Sequence, residues 1–511
     1  MAHIGKLLFS LTALACVALS SYGATPGIAG PNFQLTAQDS YLNQPDGSSV
    51  YSWGYGCATG FKPTFLPSTI SGGTCSTMQV PGPTLIVKEG DTVTVSLANN
   101  LPAGAGSTSI LFPGFAVTPT GGSAGLLTQE AANGQTVTYT FTATTPGTHA
   151  YYSGTQGDLQ IEMGLYGALI VLPKSVPANC TSVVTNLFGV PSFTGTQEQD
   201  FRLSKSAYDH AKTCYDREYL FQFAEMDPKI HSQALAQVTA GVASLQVATE
   251  PYRPTYFLIN GRSMPDDMDA NYASPYPHQP YNGNPHMHPG EQVLIRVIGQ
   301  GRWQHPFHEH ANHVRILGRD GNLILSQSDS SSLAGPLLFT TTTTPGVAFD
   351  GIFYYSGKGL NWDLYGHNPT SKDPLATLPC KPDANGYNTG DPTALNYFEW
   401  CADHNKALQQ FPFGDVASGG PMTLPNPNIL TNGNWYGGSP YLGPNATMRA
   451  TGTTSDFQPS NTQANPSAER GYAFMWHSHN EREITTNNIF PGGMMMMMLV
   501  DSREFVIDEA K

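Results

Sequence analysis

Apolar and polar residues alternate one for one along much of this chain. Residues 84–100, TLIVKEGDTVTVSLANN, and 135–143, QTVTYTFTA, put every second side chain on an apolar face, which predicts strands with one buried side. PGTHAYYSG (146–154) and GLYGALIVLP (164–173) close what reads as one β-sandwich ending near Pro173. A second set of strands is predicted at 217–227, 254–261, 290–299, 305–317, 346–355, 471–479 and 493–501. Residues 174–213 are mixed and polar, and 366–469 are rich in Asn, Gly, Pro and Thr without periodicity, as in a long insertion. The predicted fold is all-β: two sandwich domains, at 30–174 and 214–511, joined by a linker at 175–213, with a loop-rich insertion at about 366–469 in the second.

Composition agrees with many short strands and turns. Of 511 residues only 12 % are charged, while 53 are Gly and 40 are Pro. A net charge of -14 gives no basic surface from which phosphate could release counterions, so nucleic acid is excluded as a partner. Residues 1–24 place Lys6 before a short apolar run that ends in small residues, the layout of a cleaved secretory signal, and no later run predicts a membrane span. The expected location is therefore secreted or periplasmic. Six cysteines remain after the signal, and in an oxidising compartment the shortest closures pair Cys57 with Cys75, Cys180 with Cys214 and Cys380 with Cys401.

Candidate chemistry is concentrated in two histidine-rich stretches. HPFHEHANH (305–313) holds His305, His308, His310 and His313, and MWHSHNERE (475–483) adds His477 and His479. In a strand, His308 and His310 project to one face, as do His477 and His479, so two neighbouring strands would bring four imidazoles together. Neutral imidazole suits copper or zinc, and the absence of a thiolate leaves the choice of metal open.

HPFHEH resembles the His-Pro-x-His-x-His motif of the multicopper oxidases, and WHSH resembles their His-Cys-His motif. PGPTLIVKEGDTVTVSLANNL and PGTHAYYSGTQ look like that family's first domain. The resemblance implies Greek-key cupredoxin domains, a blue copper and a three-copper cluster that reduces dioxygen. By position it makes His305 a blue-copper ligand and His308, His310, His477 and His479 cluster ligands. It also exposes departures. Ser478 stands at the blue-copper cysteine, and Glu483 at the second blue-copper histidine. Ile110-Leu111-Phe112-Pro113-Gly114 and Tyr151-Tyr152-Ser153-Gly154 stand where the first domain supplies four histidines. A hydroxyl cannot replace the thiolate of a blue site, and copper ions stripped of ligands are weakly held.

The expectation is one non-blue copper, or a zinc, at the two His-x-His pairs, with Ser478 and Glu483 orienting the imidazoles from behind. Such a protein would act as an oxidoreductase on a small-molecule electron donor, or bind copper ions without turnover. Two-domain relatives in this family assemble as trimers, which makes a homo-oligomer an expectation too. Three further features carry structural expectations: GGMMMMM (492–498) as core packing with at most about three sulfurs on one face, PHMH (285–288) as an exposed loop, and PDDMDA (265–270) as a solvated turn. Glu309 should point away from the histidine pair.

Overall fold

The computed structural model describes residues 24–181, 199–288, 290–355, 379–384, 386–394, 396–399, 401, 472–500, 507 and 509. The expected signal and most of the expected insertion lie outside the described residues, as does the middle of the expected linker.

Four mixed sheets form two sandwiches. In the first, the sheet built on Gly147–Tyr152, Tyr166–Leu172 and Leu85–Lys88 faces the sheet built on Ser49–Cys57, Asn32–Asn43, Thr92–Asn99 and Thr136–Thr142. Leu85, Leu169 and Val171 from one sheet meet Phe33, Val93, Val95 and Tyr139 from the other in a single apolar core. In the second, a sheet centred on Arg217–Met226, Gln292–Gly299 and Ala348–Tyr354 faces a five-stranded sheet ordered His286–Met287, Met495–Val500, Tyr472–Ser478, His305–Glu309, Thr340–Thr343. Phe221, Phe223, Val293 and Phe349 pack there against Phe307, Trp476 and Met496.

The strands expected from alternation are present, and Asn32–Asn43 and Ser49–Cys57 join them although they were not anticipated. Ser49–Cys57 is buried almost throughout, so its sequence does not alternate. A helix at Pro228–Thr239 was also missed. Pro228 at its first position and the Asp227 carboxylate accepting from the Lys229 N–H at 2.9 Å start it. Its Ile230 and Ala234, one turn apart, then enter the core of the first sandwich.

All three expected disulfides are formed, Cys57–Cys75, Cys180–Cys214 and Cys380–Cys401. Two other expectations are corrected. His286–Met287 is no exposed loop: it pairs in parallel with Leu499 and Val500, and His286 and His288 are buried. Asp267 is no solvated residue: a short 3-10 turn carries it inside, where burial holds its carboxyl well above the usual range. In both cases polar residues enter the interior because the neighbouring backbone is paired with the sheet edge or turn.

A buried charge cluster ties the sandwiches together. Asp350, on Ala348–Tyr354, accepts from the Thr148 N–H at 3.1 Å, the Thr148 hydroxyl at 2.5 Å and the Tyr208 hydroxyl at 2.7 Å. Arg296 lies between this carboxylate, at 3.4 Å, and Glu218, at 2.9 Å. Removing one member leaves the others buried and unbalanced. Asp350→Ala is therefore expected to lower the unfolding free energy by about 3 kcal/mol or more, read from the guanidinium midpoint at unchanged slope.

Candidate metal centre

His305–Glu309 runs antiparallel to Tyr472–Ser478, with Phe307 opposite Ser478, His308 opposite His477 and Glu309 opposite Trp476. Because Phe307 and Trp476 must face the core, His308 and His477 are turned to the outer face of the sheet. His310 follows them past the end of the strand, fixed by its N–H to the Met475 carbonyl and by the Trp476 indole donating to its own carbonyl. The next residue, Ala311, has φ of 83°, a left-handed conformation that ends the strand.

One nitrogen from each of His308, His310 and His477 lies within 4.8 Å of the others, the one such group of three or more His, Cys, Asp or Glu side chains among the described residues. The Nε2 atoms of His310 and His477 are 3.2 Å apart. That is close to the roughly 3.3 Å edge of a tetrahedron with metal–nitrogen bonds of ~2.05 Å. His477 Nδ1 donates to the Ser478 carbonyl at 2.6 Å, and His308 Nδ1 meets the Thr340 hydroxyl at 2.6 Å. Two of the three rings are thus held at Nδ1, the kind of bond that orients an imidazole ligand. Burial and mutual repulsion push His308 down to about 4 and His310 to about 3, and burial lowers His477. All three are neutral at pH 7, so protons do not compete for the lone pairs. His479 sits at the exposed rim, its ring 4.7 Å from that of His308 and outside the close group.

The residues fit one ion bound through nitrogen. At the first-domain positions, Ile110 and Phe112 are buried in the first core, Tyr151 donates to the Pro83 carbonyl, and the Ser153 hydroxyl bonds Gln160. His149 packs on Phe115 and bonds the Thr145 carbonyl, away from the histidine group.

His305 is not brought into that group. It points inward and is fully buried, with Nδ1 2.9 Å from Glu483 Oε2 and Nε2 3.0 Å from Glu225 Oε2. A ring bonded to a carboxylate through each nitrogen donates twice and is an imidazolium. Burial favours its neutral form, but the two carboxylates outweigh this and raise it to about 9. Ser478 donates to Glu483 at 2.5 Å and Asn480 at 2.9 Å, while Glu225 accepts from the Arg302 and Trp303 N–H groups and from the Tyr252 hydroxyl. Ser478 and Glu483 therefore hold His305 rather than the outer imidazoles through their side chains. Glu225 went unnoticed in the sequence, although a carboxylate in register with inward Phe221 and Phe223 was the available signal. Glu309 points to the face opposite the histidine pair, as expected, and is buried there, its carboxyl raised well above the usual range by burial.

Residues 70–176 match the family model described as multicopper oxidase. This segment of the chain is thus similar to a multicopper oxidase domain. An L-ascorbate oxidase of Brassica rapa subsp. pekinensis is 37 % identical over 98 residues, 18 % of this chain and 16 % of the relative. The multicopper oxidase MCE of Talaromyces pinophilus is 37 % identical over 109 residues, 20 % of this chain and 17 % of the relative. The chain thus matches these curated relatives over about one sixth of their length. Among solved structures, the multicopper oxidase mgLAC is 14 % identical with a TM-score of 0.45, over 92 % of this chain and 86 % of that one. A blue copper oxidase from Nitrosomonas europaea is 15 % identical with a TM-score of 0.46, over 91 % and 85 %. The matched family segment lies in the first sandwich, and the histidine group in the second.

The raised His305 sets a pH dependence for this protein. Its contribution to stability is fully present below the ring's ordinary 6.5 and is lost as pH rises from there through about 9. The loss is on the order of 3 kcal/mol. Unfolding free energies measured across that range should fall with pH, and Glu225→Gln should flatten the fall; an unchanged slope in the variant would contradict the charged bridge.

Proposed function

We propose that this chain is an extracytoplasmic copper-binding protein that holds a single non-blue copper at His308, His310 and His477, with His479 at the rim. The observation that carries the reading is the convergence of three neutral imidazole nitrogens, two of them 3.2 Å apart, on the outer face of one sheet. The similarity of residues 70–176 to a multicopper oxidase domain makes copper the first choice, although the same nitrogens would accept zinc. Support for the compartment comes from the leader-like residues 1–24 and from three disulfides, which persist where thiols are oxidised.

A bound copper would supply one-electron exchange with a small-molecule donor. Three protein ligands leave a position where such a donor or water can approach. Reduction of dioxygen to water needs four electrons, and a single copper stores one, so that reaction lies outside the proposal. The serine at the thiolate position, already bonded to Glu483, favours a site without the blue chromophore.

Purified protein is expected to hold about one copper per chain, with ordinary wide copper hyperfine splitting in electron paramagnetic resonance and no intense thiolate charge-transfer band. His308→Ala and His477→Ala should each lower copper affinity by about tenfold or more, with the fold retained by circular dichroism. Full occupancy in both variants, or an intense blue band, would refute the assignment.

A further inference from the structure

The five consecutive methionines are divided by the sheet. Met494, Met496 and Met498 turn inward and are fully buried in the core of the second sandwich. Met495 and Met497 alternate with them and therefore belong to the outer face. The register of Met495–Val500 against Tyr472–Ser478 sets Met495 opposite His477 and Met497 opposite Met475. Across the other edge of the same strand, His477 lies opposite His308, and the His310 N–H bonds the Met475 carbonyl.

Six side chains thus occupy two adjacent rows on one face. His308, His477 and Met495 form the first row; His310, Met475 and Met497 form the second. The Ser478 N–H bonds the Met494 carbonyl at 2.9 Å, which makes the neighbouring pair His477 and Met495 a non-hydrogen-bonded one, the kind with the closer side chains. Met495 is 4 % exposed, whereas Met475 and Met497 are half-buried, Met497 lying partly against the core cluster.

Packing alone explains the inward methionines, which fill the space around Trp476 and Phe307. Met495 and Met497 instead take outer positions in register with the strand that carries His477, where β-branched or aromatic residues are the favoured choice. Thioether sulfur is a soft donor that selects Cu(I), whereas imidazole accepts Cu(II), Zn(II) and Cu(I) alike. We propose that this face is a site for monovalent copper, in which the thioethers of Met495 and Met475, with Met497 at the corner, complete the coordination begun by His308, His310 and His477. The site thereby discriminates between oxidation states: divalent ions rely on the imidazoles, and Cu(I) gains the sulfurs. This inference rests on the histidine group being a metal site and adds the identity of the ion it favours.

The full chain, loaded anaerobically with Cu(I) in competition with a Cu(I) chelator, provides the test. X-ray absorption of the Cu(I) form is expected to show sulfur as well as nitrogen neighbours. Met495→Leu and Met475→Leu/Met495→Leu, which keep side-chain volume, should weaken Cu(I) binding by about tenfold or more while leaving Zn(II) and Cu(II) binding within about twofold. Nitrogen-only scattering, or unchanged Cu(I) affinity in the double variant, would overturn the thioether assignment and leave the histidine site standing. Zn(II) and Cu(II) binding that survives His308→Ala and His477→Ala would instead overturn the histidine site itself. The X-ray measurement on the unaltered chain keeps the question decidable should the double variant fold poorly.

Discussion

The two-residue period of the strands in the second sandwich is the constraint on which the site depends. Phe307 packs on Phe223 at 4.8 Å between ring centroids and on Trp476 at 6.1 Å, and Trp476 packs on Phe353 at 4.8 Å. These contacts fix the register of His305–Glu309 and Tyr472–Ser478, because a slip of one residue would expose the aromatics and bury the histidines. The outer imidazoles are consequently positioned by side chains on the opposite face that touch no ligand. The same alternation splits the methionine run, and it sends His305 and Glu309 inward while His308 and His310 go out. One strand of five residues thereby serves a charged interior and a neutral, metal-ready exterior.

The two populations of histidine differ because of their neighbours. His305 meets two carboxylates in a fully buried site, where a charge–charge attraction is much stronger than at the surface. Its charge is the condition for burying Glu225 and Glu483 together, since two buried carboxylates with no cation between them would repel. The remaining lone pairs of both carboxylates are occupied by Ser478, Asn480, Tyr252 and two backbone N–H groups. The outer histidines meet mainly one another and part of the core, so each disfavours a proton on the next.

Much of the architecture was legible in the sequence because half-buried strands write their orientation as alternation. That signal located the strands that carry His308 and His477 and lead into His310 and His479, put Glu309 on the face opposite the histidine pair and limited the methionines on one face to about three. It failed where both faces are buried, as in Ser49–Cys57, and where a helix packs on the other sandwich, as in Pro228–Thr239. It also failed for PHMH and PDDMDA, where polar composition suggested solvent but edge pairing and a tight turn drew the residues inside. Spacing placed four histidines on two strands, yet it could not separate the close group of three from His479, which lies beyond the end of its strand. Nor could it show that His305, three residues from His308, belongs to a different chemical environment.

Ser478 and Glu483, the two positions at which the sequence departs from the motif it resembles, are coupled in the structure. Ser478 and Glu483 meet directly, and both belong to the assembly around His305. A hydroxyl is a good donor to a carboxylate, whereas a thiolate in its place would set two negative groups against each other. Serine at one position therefore suits glutamate at the other, and the imidazolium of His305 supplies the positive charge that a metal ion would otherwise bring. Ser478 also takes part in the outer site, since its carbonyl accepts from His477 Nδ1. One residue thus joins a closed, proton-bearing cluster inside the sandwich to a ring-orienting hydrogen bond outside it, through its side chain on one face and its carbonyl on the other.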